Sequence, residues 1–266
     1  MKMMHSPYDF SAIRPAMQRY VDQDILAGVS SAVLVGGDLV HLDCVGWADK
    51  ENAIALRSDH LFRVFSNTKL ITSIALLLLM EEGHCALDEA IENYLPQLGN
   101  RRVLRPGATD IHDTEAASSS ITIRHLLCHS SGLSYGWMDK NSLLNAPYAE
   151  RGVFQSLTSL SAMVDALQEL PLAFHPGTTW EYSIASDVLA RLVEVLSGQS
   201  FDAFLSCPSI NKIVWRPITQ VAIRSTCSSA ASNGLIARPT PMRTLNLWRG
   251  FLAAVAWYQA YPICWR

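Results

Sequence analysis

A serine and a lysine three positions apart are the residues best suited to chemistry in this sequence. Ser66 and Lys69 form an S-x-x-K pattern directly ahead of a long apolar run. Residues at positions i and i+3 share one face of a helix, so the hydroxyl and the amine can meet. A serine in the first helical turn also lies near unpaired N–H groups and the positive end of the helix dipole. The pattern therefore predicts that Ser66 is a nucleophile and Lys69 its activating partner.

Lys69 can accept a proton only if its pKa is lowered, because an ordinary lysine is protonated at neutral pH. Burial and the positive end of a helix both lower a lysine pKa, so we expect Lys69 to act as a base. The alternative is a capped helix with a surface lysine, since S-x-x-K is common by chance. Ser209 and Lys212 form a second copy of the pattern, to which we give little weight because it lies in an atypical tail.

The elements that must position these residues are mostly helices. Apolar periodicity and turn residues predict helices over 8–27, 66–82, 88–95, 122–129, 157–169 and 186–196. Residues 31–35 and 39–45 predict a hairpin, with Gly36, Gly37 and Asp38 at its turn. The polar, turn-rich stretch 101–120 is interpreted as a loop. This mixture of helices and strands predicts an α+β or α/β fold.

Four stretches of the sequence resemble the serine β-lactamase and penicillin-binding-protein superfamily. The first is FRVFSNTK at 62–69, together with the apolar helix that follows it, and the second is ITIRHLLCHSSGL at 121–133. The third is 174–183, which begins with FHPG and ends with WEYS, and the fourth is 187–204. The resemblance covers roughly 8–206 and is strongest to class C β-lactamases and family VIII carboxylesterases. It implies a β-lactamase-like α+β fold of the α/β sandwich type, in which an antiparallel sheet is flanked by helices and joined by a helical domain.

The resemblance also assigns the site. Tyr182 would be the second catalytic group, relaying protons between Ser66, Lys69 and the leaving group. A phenol titrates near 10, and a nearby ammonium lowers that pKa. Such acid–base catalysis is worth about 10²–10⁴-fold in rate. Tyr182 could instead be a core tyrosine at a turn, and we expect His125 and His129 to organise a loop rather than to act as bases.

Two departures from the family pattern bear on activity. The family's Y-x-N motif reads Tyr182-Ser183-Ile184, and an amide buried against isoleucine would be left unpaired at about 1–3 kcal/mol. This favours simple carboxylic esters over β-lactams. The third motif, K-T-G or a variant on a late strand, is not found, and losing the oxyanion donor it supplies costs about 2.7–4 kcal/mol in the barrier. The resemblance therefore implies a carboxylesterase that works through an acyl-enzyme, with impaired activity.

The composition divides the chain near residue 206. We interpret 1–206 as the hydrolase domain, with the start of the sheet in 1–65 and a mostly helical part in 66–206. Residues 207–266 hold no Asp or Glu but seven of the 21 Lys and Arg. This tail could be a basic interaction module, an unusual subdomain or sequence never selected to fold. We favour the third interpretation, that of a truncated or frame-shifted carboxyl-terminal part.

Rival functions remain open. Gly132 to Gly136 reads G-x-S-x-G, which in an α/β-hydrolase would make Ser134 the nucleophile, but that motif needs a strand before it and a helix after it. A β-lactam hydrolase and a catalytically dead homologue are further alternatives.

The charge and the apolar stretches of the sequence limit which partners and which cellular location we expect. A net charge of −3 gives no basic excess for nucleic acid, and the longest apolar stretch, 70–80, is too short to span a bilayer. No apolar leader run is visible, so we expect a cytoplasmic protein. The expected partner is a small-molecule ester, with no metal or other cofactor. The sequence does not assign an oligomeric state.

Overall fold

The computed structural model describes residues 8–62, 65–136, 141–153 and 159–206, all within one compact unit. Helix α1 (Ile13–Asp22) precedes an antiparallel hairpin of β1 (Gly28–Val35) and β2 (Asp38–Asp49), and β3 (Ile54–Ala55) pairs with the other edge of β2. Val35 pairs with Asp38, which leaves Gly36 and Gly37 as a two-residue turn with φ of 60° and 91°. Two successive positive φ values favour glycine, so the sequence signal and the hairpin agree.

Helix α2 (Thr68–Glu81) is the central helix of the described core. Its side chains Ala75, Leu76 and Leu79 are at most 2% exposed. The helix is preceded by a 3₁₀ turn over Phe65–Asn67, so Ser66 lies just ahead of α2 rather than within a helix that begins at residue 66. The nucleophile candidate is therefore at the amino-terminal mouth of an apolar, buried helix.

The remaining elements are short except for one helix. They are β4 (Arg102–Leu104), β5 (Thr114–Ala116), α3 (Ile123–Leu127), α4 (Asn145–Glu150), α5 (Leu160–Leu167), α6 (Ala185–Ser197) and α7 (Phe201–Leu205). Helix α6 ends at Gly198, whose φ of 68° is the left-handed conformation that glycine adopts readily. Its apolar face packs on α2, α3 and α5, and these four helices supply about half of the residues of the described core.

Two secondary-structure predictions are wrong. Residues 101–120 are not all loop, because β4 and β5 pair antiparallel within them. Residues 88–95 do not form a helix. Ala90 is extended and bridges to Thr122, and only a 3₁₀ turn over Ile91–Asn93 follows. In both places backbone pairing between strands or bridged residues decides the conformation, and a local pattern of apolar residues does not encode it.

The predicted α+β class is confirmed, with helices packed beside small antiparallel sheets. The tail 207–266, including Ser209 and Lys212, lies outside the described residues, so the boundary at 206 stays a prediction. Within the described ranges, none of the helices is both long and apolar enough to span a bilayer. The cytoplasmic location stays a prediction.

Candidate active site

Ser66 is exposed at the surface in the 3₁₀ turn before α2. The preceding residue, Phe65, has a φ of 44° and a side chain that is 74% exposed. A non-glycine residue in the left-handed region costs about 1–3 kcal/mol and persists only where its surroundings enforce it. The strained turn places Ser66 just ahead of the first turn of α2, the end of a helix at which negative charge is stabilised.

Tyr182 reaches Ser66 from a segment 116 residues away. The phenol oxygen lies 3.1 Å from Ser66 Oγ, and either hydroxyl can donate in this hydrogen bond. Tyr182 stands just ahead of α6, whose packing on α2 brings the two ends together. The structure therefore places the predicted tyrosine against the predicted nucleophile.

Lys69 completes the group by contacting the same tyrosine. Its ammonium hydrogen-bonds to Tyr182 and to Tyr135, with Nζ 5.1 Å from the ring centre of Tyr182 and 5.6 Å from that of Tyr135. Ser66, Lys69 and Tyr182, singled out in the sequence, are thus brought together, with Tyr182 between the hydroxyl and the amine. Their catalytic roles stay predictions.

The expected lowering of the Lys69 pKa is wrong. Burial, the largest single influence, does lower it, but the hydrogen bonds to Tyr135 and Tyr182 and the attraction of their phenolate charge outweigh burial. Together they raise the pKa of Lys69 to about 12. Lys69 is therefore an ammonium at neutral pH, a donor and a positive charge rather than a free base. The oxygen that lies within hydrogen-bond distance of Ser66 Oγ is that of Tyr182.

Two residues near Lys69 were missed by sequence reasoning. Tyr135 packs its ring 5.2 Å from that of Tyr182, and burial raises its pKa to about 12 in spite of the opposing influence of Lys69. Asp187, in the first turn of α6, has its pKa raised by burial and pulled back by Lys69. Tyr135 lies inside the G-x-S-x-G pattern, but in that pattern only Ser134 was considered as a functional residue. The local sequence spacing pointed to neither Tyr135 nor Asp187.

The two histidines organise loops, as expected. His125 closes a capping box with Thr122 at the start of α3. His129 lies with its ring centre 5.0 Å from that of Tyr182. Burial, followed by the charge of Lys69, lowers the pKa of His129 to about 4, so its imidazole is neutral at pH 7. Among the described residues, no cluster of His, Cys, Asp and Glu could hold a metal ion.

Ser134 does not occupy a nucleophile position. It is 3% exposed, its Oγ accepts the N–H of Gly136 at 3.1 Å, and its own N–H donates to the Tyr148 hydroxyl at 3.2 Å. A nucleophile elbow needs a strand before the serine and a helix after it, whereas here the chain arrives from the end of α3. The α/β-hydrolase interpretation of Ser134 is wrong, because the hydroxyl is buried in a turn.

The beta-lactamase family model matches residues 13–206. The chain belongs to the beta-lactamase family. Among curated members, esterase EstB of Burkholderia gladioli is 32% identical over 197 residues, covering 73% of this chain and 45% of EstB. Acyltransferase calJ of Penicillium decumbens is 38% identical over 147 residues, covering 55% of this chain and 34% of calJ.

Solved structures of the family confirm the β-lactamase-like fold. EstCE1, a hydrolase with promiscuous acyltransferase activity, superposes with a TM-score of 0.63 at 24% identity over 73% of this chain and 48% of EstCE1, a likeness of fold alone. Unliganded simvastatin synthase (LovD) from Aspergillus terreus superposes with a TM-score of 0.60 at 29% identity over 73% of this chain and 50% of LovD. The chain thus spans half or less of the length of these relatives.

Proposed function

We propose that this protein is a serine hydrolase that cleaves carboxylic esters through an acyl-enzyme on Ser66. The observation that carries the proposal is the chain of contacts from Ser66 Oγ to the Tyr182 oxygen, 3.1 Å away, and on to the Lys69 ammonium. A hydroxyl becomes a nucleophile when an adjacent group removes its proton. The kinship with esterase EstB supports the same chemistry.

Each group has one step in the proposed reaction. The Tyr182 oxygen, its negative charge stabilised by the Lys69 ammonium, takes the proton of Ser66 as Oγ attacks the ester carbonyl carbon. The carbonyl oxygen develops charge near the Ser66 N–H at the mouth of α2. Tyr182 then returns its proton to the departing alcohol, which leaves an acyl group on Ser66. A water molecule then gives a proton to Tyr182 as its oxygen attacks the acyl carbon. The bond from that carbon to Ser66 Oγ breaks, Tyr182 returns the proton to Ser66 Oγ, and the acid is released.

The residue two positions after the tyrosine favours esters over β-lactams. Ile184 is 2% exposed and lies in the core, at the start of α6. It offers no hydrogen-bond donor to an amide side chain of a substrate, and an unpaired buried amide costs about 1–3 kcal/mol. Hydrolysis of a simple ester needs no such donor.

Acyl transfer to an alcohol is the second candidate function. Relatives named as acyltransferases match this chain, including calJ and the monacolin J acid methylbutanoyltransferase of Aspergillus terreus, which is 34% identical over 152 residues. Transfer and hydrolysis share the acyl-enzyme and differ only in the nucleophile that attacks it. An alcohol present in excess would then compete with water for the same acyl group.

The test is hydrolysis of p-nitrophenyl acetate and butyrate by the wild-type chain, Ser66→Ala and Ser134→Ala. We expect Ser66→Ala to fall to the background rate while Ser134→Ala keeps at least half of the wild-type rate. Turnover should lie about 10²–10³-fold below that of a full-length relative, the cost of one oxyanion donor. Equal rates for wild type and Ser66→Ala would refute the proposal.

Two further assays distinguish ester hydrolysis from acyl transfer and from β-lactam hydrolysis. With a primary alcohol added, production of a new ester at the expense of free acid would establish acyl transfer. A chromogenic cephalosporin hydrolysed faster than the esters would favour a β-lactamase instead.

A further inference from the structure

His129 occupies a place in the fold that usually belongs to glycine. Helix α3 ends at Leu127 with Cys128 as its C-cap, and His129 follows with a φ of 54°. The N–H of His129 donates to the carbonyl of Leu126, and the N–H of Ser130 donates to that of His125. This is the Schellman pattern, whose left-handed residue is most often glycine. A side chain at this position has a conformational cost, which the contacts of the His129 side chain must offset.

Both neighbours of Tyr182 are attached to His129. The carbonyl of His129 accepts the N–H of Glu181 at 2.9 Å. The imidazole Nδ1 lies 3.2 Å from the N–H of Ser183, which donates to it, and 3.2 Å from the Ser183 hydroxyl. The residues immediately before and after Tyr182 are therefore held by one residue of another segment.

The hydrogen bond from the Ser183 N–H to Nδ1 requires one tautomer of the His129 imidazole. A backbone N–H can only donate, so Nδ1 must present its lone pair and the ring proton must be on Nε2. The neutral state of His129 at pH 7 is consistent with this tautomer. The Ser183 hydroxyl also accepts the N–H of Ala185 at 3.4 Å, which extends the anchor into the first turn of α6.

We propose that His129 is a positioning residue that holds the Tyr182 oxygen against Ser66 by anchoring the residues on both sides of the tyrosine. The His129 ring also packs against the Tyr182 ring, with 5.0 Å between centres. The proposal rests on the function proposed above for Tyr182. His129 is itself not a proton acceptor in the reaction, since its Nδ1 is already occupied by Ser183.

A matched pair of variants separates the anchor from the backbone conformation. Glycine and asparagine both tolerate the left-handed region, but only asparagine carries an acceptor at the position of Nδ1. We expect His129→Gly to lower kcat by about 10²-fold, the cost of misplacing a reacting group by roughly 1 Å. We expect KM for p-nitrophenyl acetate to change less than twofold, and His129→Asn to keep kcat within about threefold of wild type. Equal kcat values for the two variants would overturn the proposal.

Nuclear magnetic resonance tests the anchor without reference to turnover. In protein with ¹³C at the tyrosine Cζ, the Tyr182 line, assigned with Tyr182→Phe, should shift in His129→Gly and stay in place in His129→Asn. In ¹⁵N-histidine protein at pH 7, the His129 line should show a proton on Nε2 and an unprotonated Nδ1. A protonated Nδ1, or a Tyr182 line unmoved by His129→Gly, would overturn the proposal.

The two kinds of failure are distinguishable. If wild-type protein shows no hydrolysis that depends on Ser66, the proposed function fails while the spectra still report on the anchor. If His129→Gly does not fold, the ¹⁵N spectrum of the wild-type chain still decides, because its assignment needs only His129→Asn. Ser183→Ala, which keeps the N–H donor and loses the hydroxyl, should reduce kcat less than fivefold.

Discussion

At the scale of single residues, the charge state of Lys69 decides how the site works. Two tyrosine oxygens hold its proton, so the lysine is a fixed cation beside the oxygen that contacts Ser66. In the proposed mechanism this cation stabilises negative charge on the Tyr182 oxygen, which lies 3.1 Å from Ser66 Oγ. In the proposed mechanism the S-x-x-K spacing therefore places a positive charge beside Tyr182, and the amine does not abstract the proton of Ser66.

Replacing Tyr135 tests that account. Tyr135→Phe keeps the buried ring and removes one hydrogen-bond partner of Lys69, one of the influences that raise its pKa. The ammonium should then lose its proton at lower pH, and the alkaline limb of kcat/KM should move down from the wild-type value set by a pKa of about 12. We expect kcat/KM at pH 8 to stay close to that of wild type, because Lys69 remains an ammonium there, and the difference between the two proteins to appear only at more alkaline pH.

The control for Tyr135→Phe is Tyr94→Phe, at a tyrosine that bonds to Glu89 away from the site. It should leave the pH profile of kcat/KM unchanged. An alkaline limb that is the same in Tyr135→Phe and wild type would mean that Tyr135 does not hold the lysine proton.

His129 makes a separate prediction about stability. Its pKa is lowered from 6.5 to about 4 in the fold, so between these values the unfolded chain binds more protons than the folded one. The stability contributed by the neutral imidazole is complete above pH 6.5 and is lost as pH falls to 4, by at most about 3 kcal/mol. Urea unfolding at pH 7 and pH 4.5 should show a smaller loss for His129→Asn than for wild type. Equal losses would contradict the buried, neutral histidine.

Sequence reasoning reached part of this site. Ser66 and Lys69 are three positions apart and Tyr182 follows a recognisable approach, so all three could be proposed before any coordinates. Tyr135 could not, because its role depends on a contact with Lys69 that spans 66 positions. The sign of the Lys69 pKa shift was out of reach for the same reason, since burial alone would have lowered it.

At the scale of elements, the segment after α3 must run closely alongside the approach to Tyr182. Gly132 has a φ of 83°, and a Cβ there would lie 2.3 Å from the carbonyl oxygen of Phe174. The carbonyl of Gly132 in turn accepts the N–H of Ala173 at 2.8 Å. This close backbone approach fixes the spacing between the two segments that carry His129 and Tyr182.

Alanine at two glycines separates backbone strain from close packing. Gly83 has the same φ of 83° but open space around its Cβ position. Gly83→Ala should therefore lose only the left-handed penalty of about 1–2 kcal/mol, while Gly132→Ala should lose a further 1–3 kcal/mol or so from overpacking. Urea unfolding midpoints measure both, and equal losses would show that the two segments are not in close contact.

Local patterns predicted the long elements better than the short ones. Helices α2 and α6 were placed nearly correctly because each carries an apolar face over three or more turns. The strands β4 and β5 are three residues each and pair within a polar stretch, so they lack the alternation of apolar residues that would predict a strand.

At the scale of the whole molecule, the candidate site is formed by three segments that are far apart in the sequence. The turn before α2, the segment from His129 to Tyr135 and the approach to α6 meet only when α2, α3 and α6 have packed together. Catalysis by Ser66 would therefore report on the complete core, and denaturant should abolish hydrolysis and the near-ultraviolet signal of the tyrosines together.

The central claim is that Ser66 is the nucleophile, and covalent labelling tests it most directly. Wild-type, Ser66→Ala and Tyr182→Phe chains are incubated with a fluorophosphonate, and the adduct is located by peptide mass spectrometry. The account predicts one adduct per chain on Ser66, none in Ser66→Ala, and labelling slowed by about 10²-fold or more in Tyr182→Phe. An adduct on Ser134, or a wild-type chain that stays unlabelled, would contradict it.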